Sequence, residues 1–156
     1  MRTLGSTFAA LVLAIPLTAQ QPVSPTPADT TAIVPAVAIP AAERAARDWL
    51  VLVDRAQYRA SYDSAAKSFQ QAISADAWED AVARGRGPFG TFGRRATYQT
   101  PRLLHDPKGL PPGDYVVFLY LTPVTTGGTA VIETVSTERE ADGAWRVDGY
   151  FVAPGA

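Results

Sequence analysis

From Ala41 to Ala56, apolar residues return every three or four positions. Ala42, Ala46, Trp49, Val53 and Ala56 form the stripe, and Leu50 and Leu52 widen it. Glu43, Arg44, Arg47, Asp48, Asp54 and Arg55 take the remaining positions. This is the pattern of an amphipathic helix, and Pro40 just ahead of it is a helix-start signal. A second stripe, Tyr58, Tyr62, Ala65, Phe69 and Ile73, predicts a second helix over 58–73. Ser74 is a good N-cap for a third helix, with Asp76 in its first turn complementing the helix dipole. Trp78 and Val82 lie four apart on that helix, and Gly85 and Gly87 are placed to end it.

After Gly93 the period changes to two. Arg95 to Leu104 reads as a strand interrupted or bulged near Pro101. His105 to Gly113 is dense in turn residues and reads as a loop. Asp114 to Val124 is the clearest strand, with Val116, Phe118, Tyr120 and Thr122 on one side and Tyr115, Val117, Leu119 and Leu121 on the other. Apolar residues on both sides predict a central strand or a second contact face. Gly127-Gly128 marks a hairpin, Ala130 to Arg139 the next strand, and Asp142-Gly143 another tight turn. Ala144 to Val152 is the last strand, with Trp145, Val147, Gly149 and Phe151 expected on one face. Helices first and a meander afterwards define an α+β domain: three N-terminal helices packed on a curved four-stranded antiparallel sheet.

The first forty residues follow neither pattern. Arg2, the apolar run Phe8 to Leu17 and the small residues around Thr18-Ala19-Gln20 have the three parts of a secretory signal peptide. Its apolar run is about ten residues, against ~20 for a membrane span. Cleavage is expected near residues 19–20, leaving the mature chain extracytoplasmic, either periplasmic or secreted. Residues 21–40 carry Pro22, Pro25, Pro27, Pro35 and Pro40 and a single charge, Asp29. Such a stretch is expected to be a disordered linker. A single domain over 41–156 follows.

Composition narrows the chemistry. The 156 residues include no Cys and one His, His105. That excludes disulfides, thiolate nucleophiles, Cys-based metal sites and two-histidine catalysis. No metal and no cofactor are expected. A net charge of −1 gives no global attraction to nucleic acid, and nucleic acid is not expected as a partner.

The most specific local signature lies in the last strands: Glu133-Thr134-Val135, then Asp142-Gly143-Ala144-Trp145-Arg146-Val147-Asp148-Gly149-Tyr150-Phe151. Upstream stand Trp49-Leu50, Asp54, Tyr58, Ser61-Tyr62, Phe69 and Trp78. Arg86-Gly87-Pro88-Phe89-Gly90, Arg94-Arg95 and Asp114-Tyr115-Val116 follow. In order and spacing these resemble the bacterial family known as Domain of Unknown Function 4019, over roughly residues 42–153. Tyr62 stands where the family usually has Trp, a departure that bears on packing. The resemblance implies a small secreted or membrane-attached domain with a nuclear-transport-factor-2-like, or cystatin-like, fold. It implies no activity.

Several residues are candidates for chemistry. Gly85-Arg86-Gly87-Pro88-Phe89-Gly90 spells G-x-G-x-x-G, but a helix precedes it and a strand follows, the reverse of a dinucleotide site. Arg84 to Lys108 carries a net charge of +5 within a chain of −1. Its members Arg84, Arg86, Arg94, Arg95 and Arg102 are the binding candidates, facing an envelope protein or an anionic envelope component. The leading expectation for the segment is instead internal pairing with acidic strands, including Glu133, Glu138 and Asp148. Glu133, flanked by apolar positions, needs a partner if buried, and Arg94, Arg95 or Arg146 is expected to supply it. Glu133, Asp148 and Tyr150 are the acid/base candidates if the domain is an enzyme. His105 beside Asp106 is expected to be a solvated loop histidine. A non-catalytic binding module is the leading expectation. A small acid/base enzyme and a purely structural envelope protein are the alternatives.

Overall fold

The computed structural model describes residues 38–155. The expected signal peptide and most of the expected linker fall outside them. Four helices come first: α1 (Ala38–Asp54), α2 (Tyr58–Ser64), α3 (Lys67–Ala72) and α4 (Ala75–Arg86). A 3-10 turn over Gly87–Phe89 follows. The strands β1 (Ala96–His105), β2 (Asp114–Pro123), β3 (Ala130–Arg139) and β4 (Trp145–Pro154) form one antiparallel sheet in that order. The class and element order match the sequence reading, and no described helix is long and apolar enough to cross a membrane.

Two helix boundaries differ from expectation. The first helix starts at Ala38, so Pro40 lies inside its first turn, where a backbone N–H has no intrahelical partner to lose. The expected second helix is two. Ala65 and Ala66 adopt extended backbone angles, and the Ala66 N–H donates to the carbonyl of Val147 on β4 at 2.8 Å. Two buried methyl side chains let the chain approach the sheet that closely. The Gln70 amide crosses the break and donates to the Tyr62 and Asp63 carbonyls at the end of α2. Tyr62 adds a bond from its hydroxyl to the Ile73 carbonyl at 3.0 Å. Ser74 caps α4 as expected, accepting from the Ala77 N–H.

The core lies between the helices and one face of the sheet. Ala42, Ala46, Trp49, Leu50 and Val53 of α1 pack with Val116, Phe118, Tyr120, Val135 and Val147. The two buried indoles share one residue. Trp49 Nε1 donates to the Ser61 carbonyl at 2.8 Å, and Trp78 Nε1 donates to the Ser61 hydroxyl at 3.0 Å. Ser61 is thus a structural hub for a cluster in which Trp49 and Trp78 rings lie 5.5 Å apart.

β2 is interior, between β1 and β3, and its Val116, Phe118, Tyr120 and Thr122 are buried as expected. β1 is irregular between Thr97 and Gln99 and between Gln99 and Arg102, bracketing Pro101. β4 departs from its expected face. Ser136 pairs with Gly149 and Thr137 with Val147, so Asp148 is the extra residue of a bulge. Beyond it the alternation flips: Val147 is in the core, Tyr150 replaces Phe151 on the inner side, and Phe151 is 72 % exposed. Gly149 permits this, because a Cβ there would meet Ser136 Oγ at 2.5 Å.

At the other end of the sheet, His105 closes the β1–β2 hairpin. Its Nδ1 lies 2.8 Å from Asp114 Oδ1 and its Nε2 3.3 Å from Asp106 Oδ2. The Asp114 hydrogen bond, then the Asp106 charge, holds its pKa above the ordinary 6.5. A raised folded pKa stabilises the hairpin fully below pH 6.5, and that contribution fades as pH rises through the folded value. The signal of this single histidine in a proton NMR titration is expected to turn over above 6.5 and to move back toward it in Asp114→Asn. A midpoint at or below 6.5 in the native chain would show that the pair does not form.

Candidate functional site

β3 carries a carboxylate into the core. Glu133 follows the buried parity of Val131 and Val135, so its side chain faces the helices and is 0 % exposed. A lone carboxylate there would be prohibitively desolvated, so the surrounding elements supply donors. Arg86, the last residue of α4, donates from Nη1 to Glu133 Oε1 at 3.0 Å. Arg95, just before β1, donates from Nε to Oε2 at 2.7 Å and from Nη2 to Oε1 at 3.0 Å. Thr122 of β2 donates to Oε2 and Tyr150 of β4 to Oε1, each at 2.6 Å. Five hydrogen bonds therefore reach this one carboxylate.

Asp54 balances the second guanidinium. It is the last residue of α1, where helix geometry favours a cation, so its charge depends on the two arginines. Its Oδ1 accepts from Arg86 Nη2 at 2.7 Å and Arg95 Nη2 at 2.8 Å, and its Oδ2 from Arg95 Nη1 at 2.7 Å. Burial alone would raise the Asp54 pKa, but the Arg95 bond and both arginine charges outweigh it and hold the carboxyl below its ordinary value. Burial alone would likewise lower Arg95, but its bonds to Asp54 and Glu133 drive it upward. The Tyr150 phenol is pushed far above its ordinary 10 by burial and by the Glu133 charge. It keeps its proton, donates to Glu133 and accepts from Arg86 Nη1 at 2.6 Å. Phe92 stacks under the Arg86 guanidinium, 3.5 Å from its ring centroid, a cation–π contact.

The segment before β1 is positioned by the β2–β3 hairpin. Gly93 N–H donates to the Pro123 carbonyl and Thr126 N–H to the Phe89 carbonyl. Gly127, at φ +71, tolerates this approach because a Cβ there would lie 2.7 Å from the Pro88 oxygen. The G-x-G-x-x-G run is thus a helix-to-strand connection, in which Gly87 is helical and only Gly90 uses a positive φ.

The predicted residues divide into separate groups. Glu133 and Tyr150 meet in the network, whereas Asp148 sits at the bulge. Its Oδ1 is buried without a partner among the described residues, and burial holds its pKa above the usual carboxylate value. Arg86 and Arg95 have side chains only 8 % and 11 % exposed and are paired inside the fold with Asp54 and Glu133. Arg84, Arg94 and Arg102 are exposed. Of the three expected partners of Glu133, Arg95 fills the role. Arg146 instead bonds Glu140 and Asp142, and Arg94 faces outward. Asp54 and Thr122 complete the network. Both were visible in sequence only as a quoted motif residue and an inward strand position.

Beside this network, between α3, α4 and β4, lies a cleft of about 470 Å³. Phe69, Ile73, Trp78, Val82, Tyr150 and Val152 line it, with Ala72 and Ala81 at helix positions exposed to solvent. A larger cleft of about 530 Å³ lies between α2, α3, the β1–β2 loop and the β3–β4 turn, but polar and charged side chains dominate its lining. Small-molecule sites are mostly apolar concavities with few polar groups, which favours the first.

A helix-covered antiparallel sheet with a neutralised ion network at its centre defines a small α+β domain. The family described as "Protein of unknown function (DUF4019)" matches residues 45–150, and the chain belongs to that family. No curated protein and no solved structure matches it.

The network makes Glu133 a stability residue. Glu133→Ala leaves two buried guanidinium groups with one half-exposed carboxylate and is expected to cost about 3–5 kcal/mol in urea denaturation. Glu133→Gln, which faces Arg95 and Thr122 with a donor, is expected to cost less but still more than about 1 kcal/mol. Unchanged stability in both variants would remove the network from its structural role.

Proposed function

We propose that the chain is exported and that its folded domain is a non-catalytic binding module, with the apolar cleft between α3, α4 and β4 as its ligand site. The observation that carries this is the contrast between the cleft and its neighbour. Glu133, the one fully buried carboxylate among the described residues, has both oxygens occupied by donors, and Tyr150 is held neutral. Neither is free to move a proton, so of the three acid/base candidates only Asp148, at the bulge and among the residues lining the cleft, is left without a full set of partners. The cleft has aromatic and aliphatic walls that no other described element fills.

Export is supported by the basic, apolar and small-residue order of residues 1–20. Expressed in a bacterium, the full chain is expected to be recovered outside the cytoplasm with its N-terminus trimmed near residues 19–20. Recovery of an untrimmed cytoplasmic chain would overturn export.

The cleft reading is tested with 1-anilinonaphthalene-8-sulfonate as the probe. Saturable binding with quenching of tryptophan emission is expected, because Trp78 lines the cleft. Ala72→Trp and Ala81→Trp add bulk at exposed helix positions on its wall and should weaken dye binding at least ~10-fold, about 1.4 kcal/mol. Thermal midpoints should barely move. Absent dye binding, or equal binding by native chain and both variants, would remove the cleft as the site.

A further inference from the structure

The sheet has two edges, and one of them has an unprotected stretch. β1 is broken by two irregularities around Pro101 and carries Arg102 and His105 along its length. Irregularities, proline and charge are the usual means of preventing strand addition. β4 has none of these from Gly149 to Ala153, which is a regular, uncharged Gly-Tyr-Phe-Val-Ala segment.

The hydrogen bonds at its ends fix which backbone groups face outward. The Val147 carbonyl points away from β3, to the Ala66 N–H, and Gly155 N–H points toward β3, to the Ala130 carbonyl. Antiparallel pairing alternates residue by residue. Counting back from Gly155, the N–H and C=O groups of Tyr150 and Val152 face outward, while Pro154 has no N–H to expose. None of these outward groups has a hydrogen-bond partner among the described residues.

The open stretch is the part of β4 that borders the cleft. Above it lie Ile73, Trp78 and Val82 of the helix layer. On the opposite side of the strand Phe151 stands exposed. We propose that the cleft and the β4 edge form one site for an extended, uncharged peptide segment that adds to the sheet as a fifth strand. Such a segment bonds Tyr150 and Val152 through its main chain. Its alternate side chains enter the cleft and cover Phe151. Main-chain bonds of this kind give affinity, and pockets for alternate side chains give specificity. The inference rests on the cleft being a binding site and names what it binds.

The test pans a library of random twelve-residue peptides against the full chain. Enriched peptides are expected to carry apolar residues at alternating positions. They should lose at least ~10-fold in affinity for Ala81→Trp, which fills the cleft, and for Val152→Pro, which removes an outward N–H. In the native complex, exchange of the Tyr150 and Val152 amides should slow at least ~10-fold. That measurement holds even if Val152→Pro perturbs the fold. Failure to enrich any such peptide would overturn strand addition. So would bound peptides that leave those two amides exchanging as in the free chain. If the dye still binds the cleft in that case, the binding-module reading stands and only the peptide assignment falls.

Discussion

The structure depends on one carboxylate that cannot be left alone. Glu133 is placed in the interior by the parity of β3, and the cost of desolvating it constrains five other segments at once. α1 must end at Asp54, α4 must end at Arg86, and the turn before β1 must deliver Arg95. Thr122 and Tyr150 must sit on the inner face of β2 and β4. Two carboxylates and two guanidinium groups leave no net charge, so the group is held without a counterion. Replacing such a network with apolar side chains is often neutral or stabilising, so its presence argues for fixing geometry more than for adding stability. Here the geometry is the register between the helix layer and the sheet.

The bulge at Asp148 is the second constraint, and it serves the first. Without the extra residue, Phe151 would continue the inner face of β4 and Tyr150 would point to solvent. With it, the Tyr150 hydroxyl reaches Glu133, and an aromatic residue is moved outside. The exposed Phe151 is thus a consequence of bringing Tyr150 into the network.

These two features explain what was legible in the sequence. β2 and β3 read correctly because alternation survives along β3 and along β2 from Val116 onward, down to the burial of Thr122 and Glu133. β4 did not, because a bulge changes parity without altering composition; its one mark was the isolated Gly149. The break between α2 and α3 was hidden for the opposite reason. Ala65 and Ala66 are strong helix formers, and only the Val147 carbonyl across the fold draws them out of the helix. Within the network, the need of Glu133 for a cation and the candidacy of Arg95 were readable from residue type. Arg86 was covered only by the general pairing of the basic segment with acidic strands, because which of its arginines reaches Glu133 depends on where α4 ends.

The basic segment shows that a local excess of charge need not face outward. Its excess of +5 looks like an outward-facing patch. Two of its arginines instead neutralise Asp54 and Glu133 from within. Subtracting them leaves Arg84, Arg94, Arg102 and Lys108 on the end of α4, the approach to β1, β1 itself and the β1–β2 loop, with Arg84 already 3.7 Å from Asp80. On the proposed binding reading, recognition therefore rests on shape and main-chain hydrogen bonding more than on charge. That shift favours partners selected by apolar side chains and an extended backbone over partners drawn in by long-range electrostatics. Binding of that kind would depend only weakly on salt, since screening acts on separated charges and not on buried apolar contact or backbone pairing.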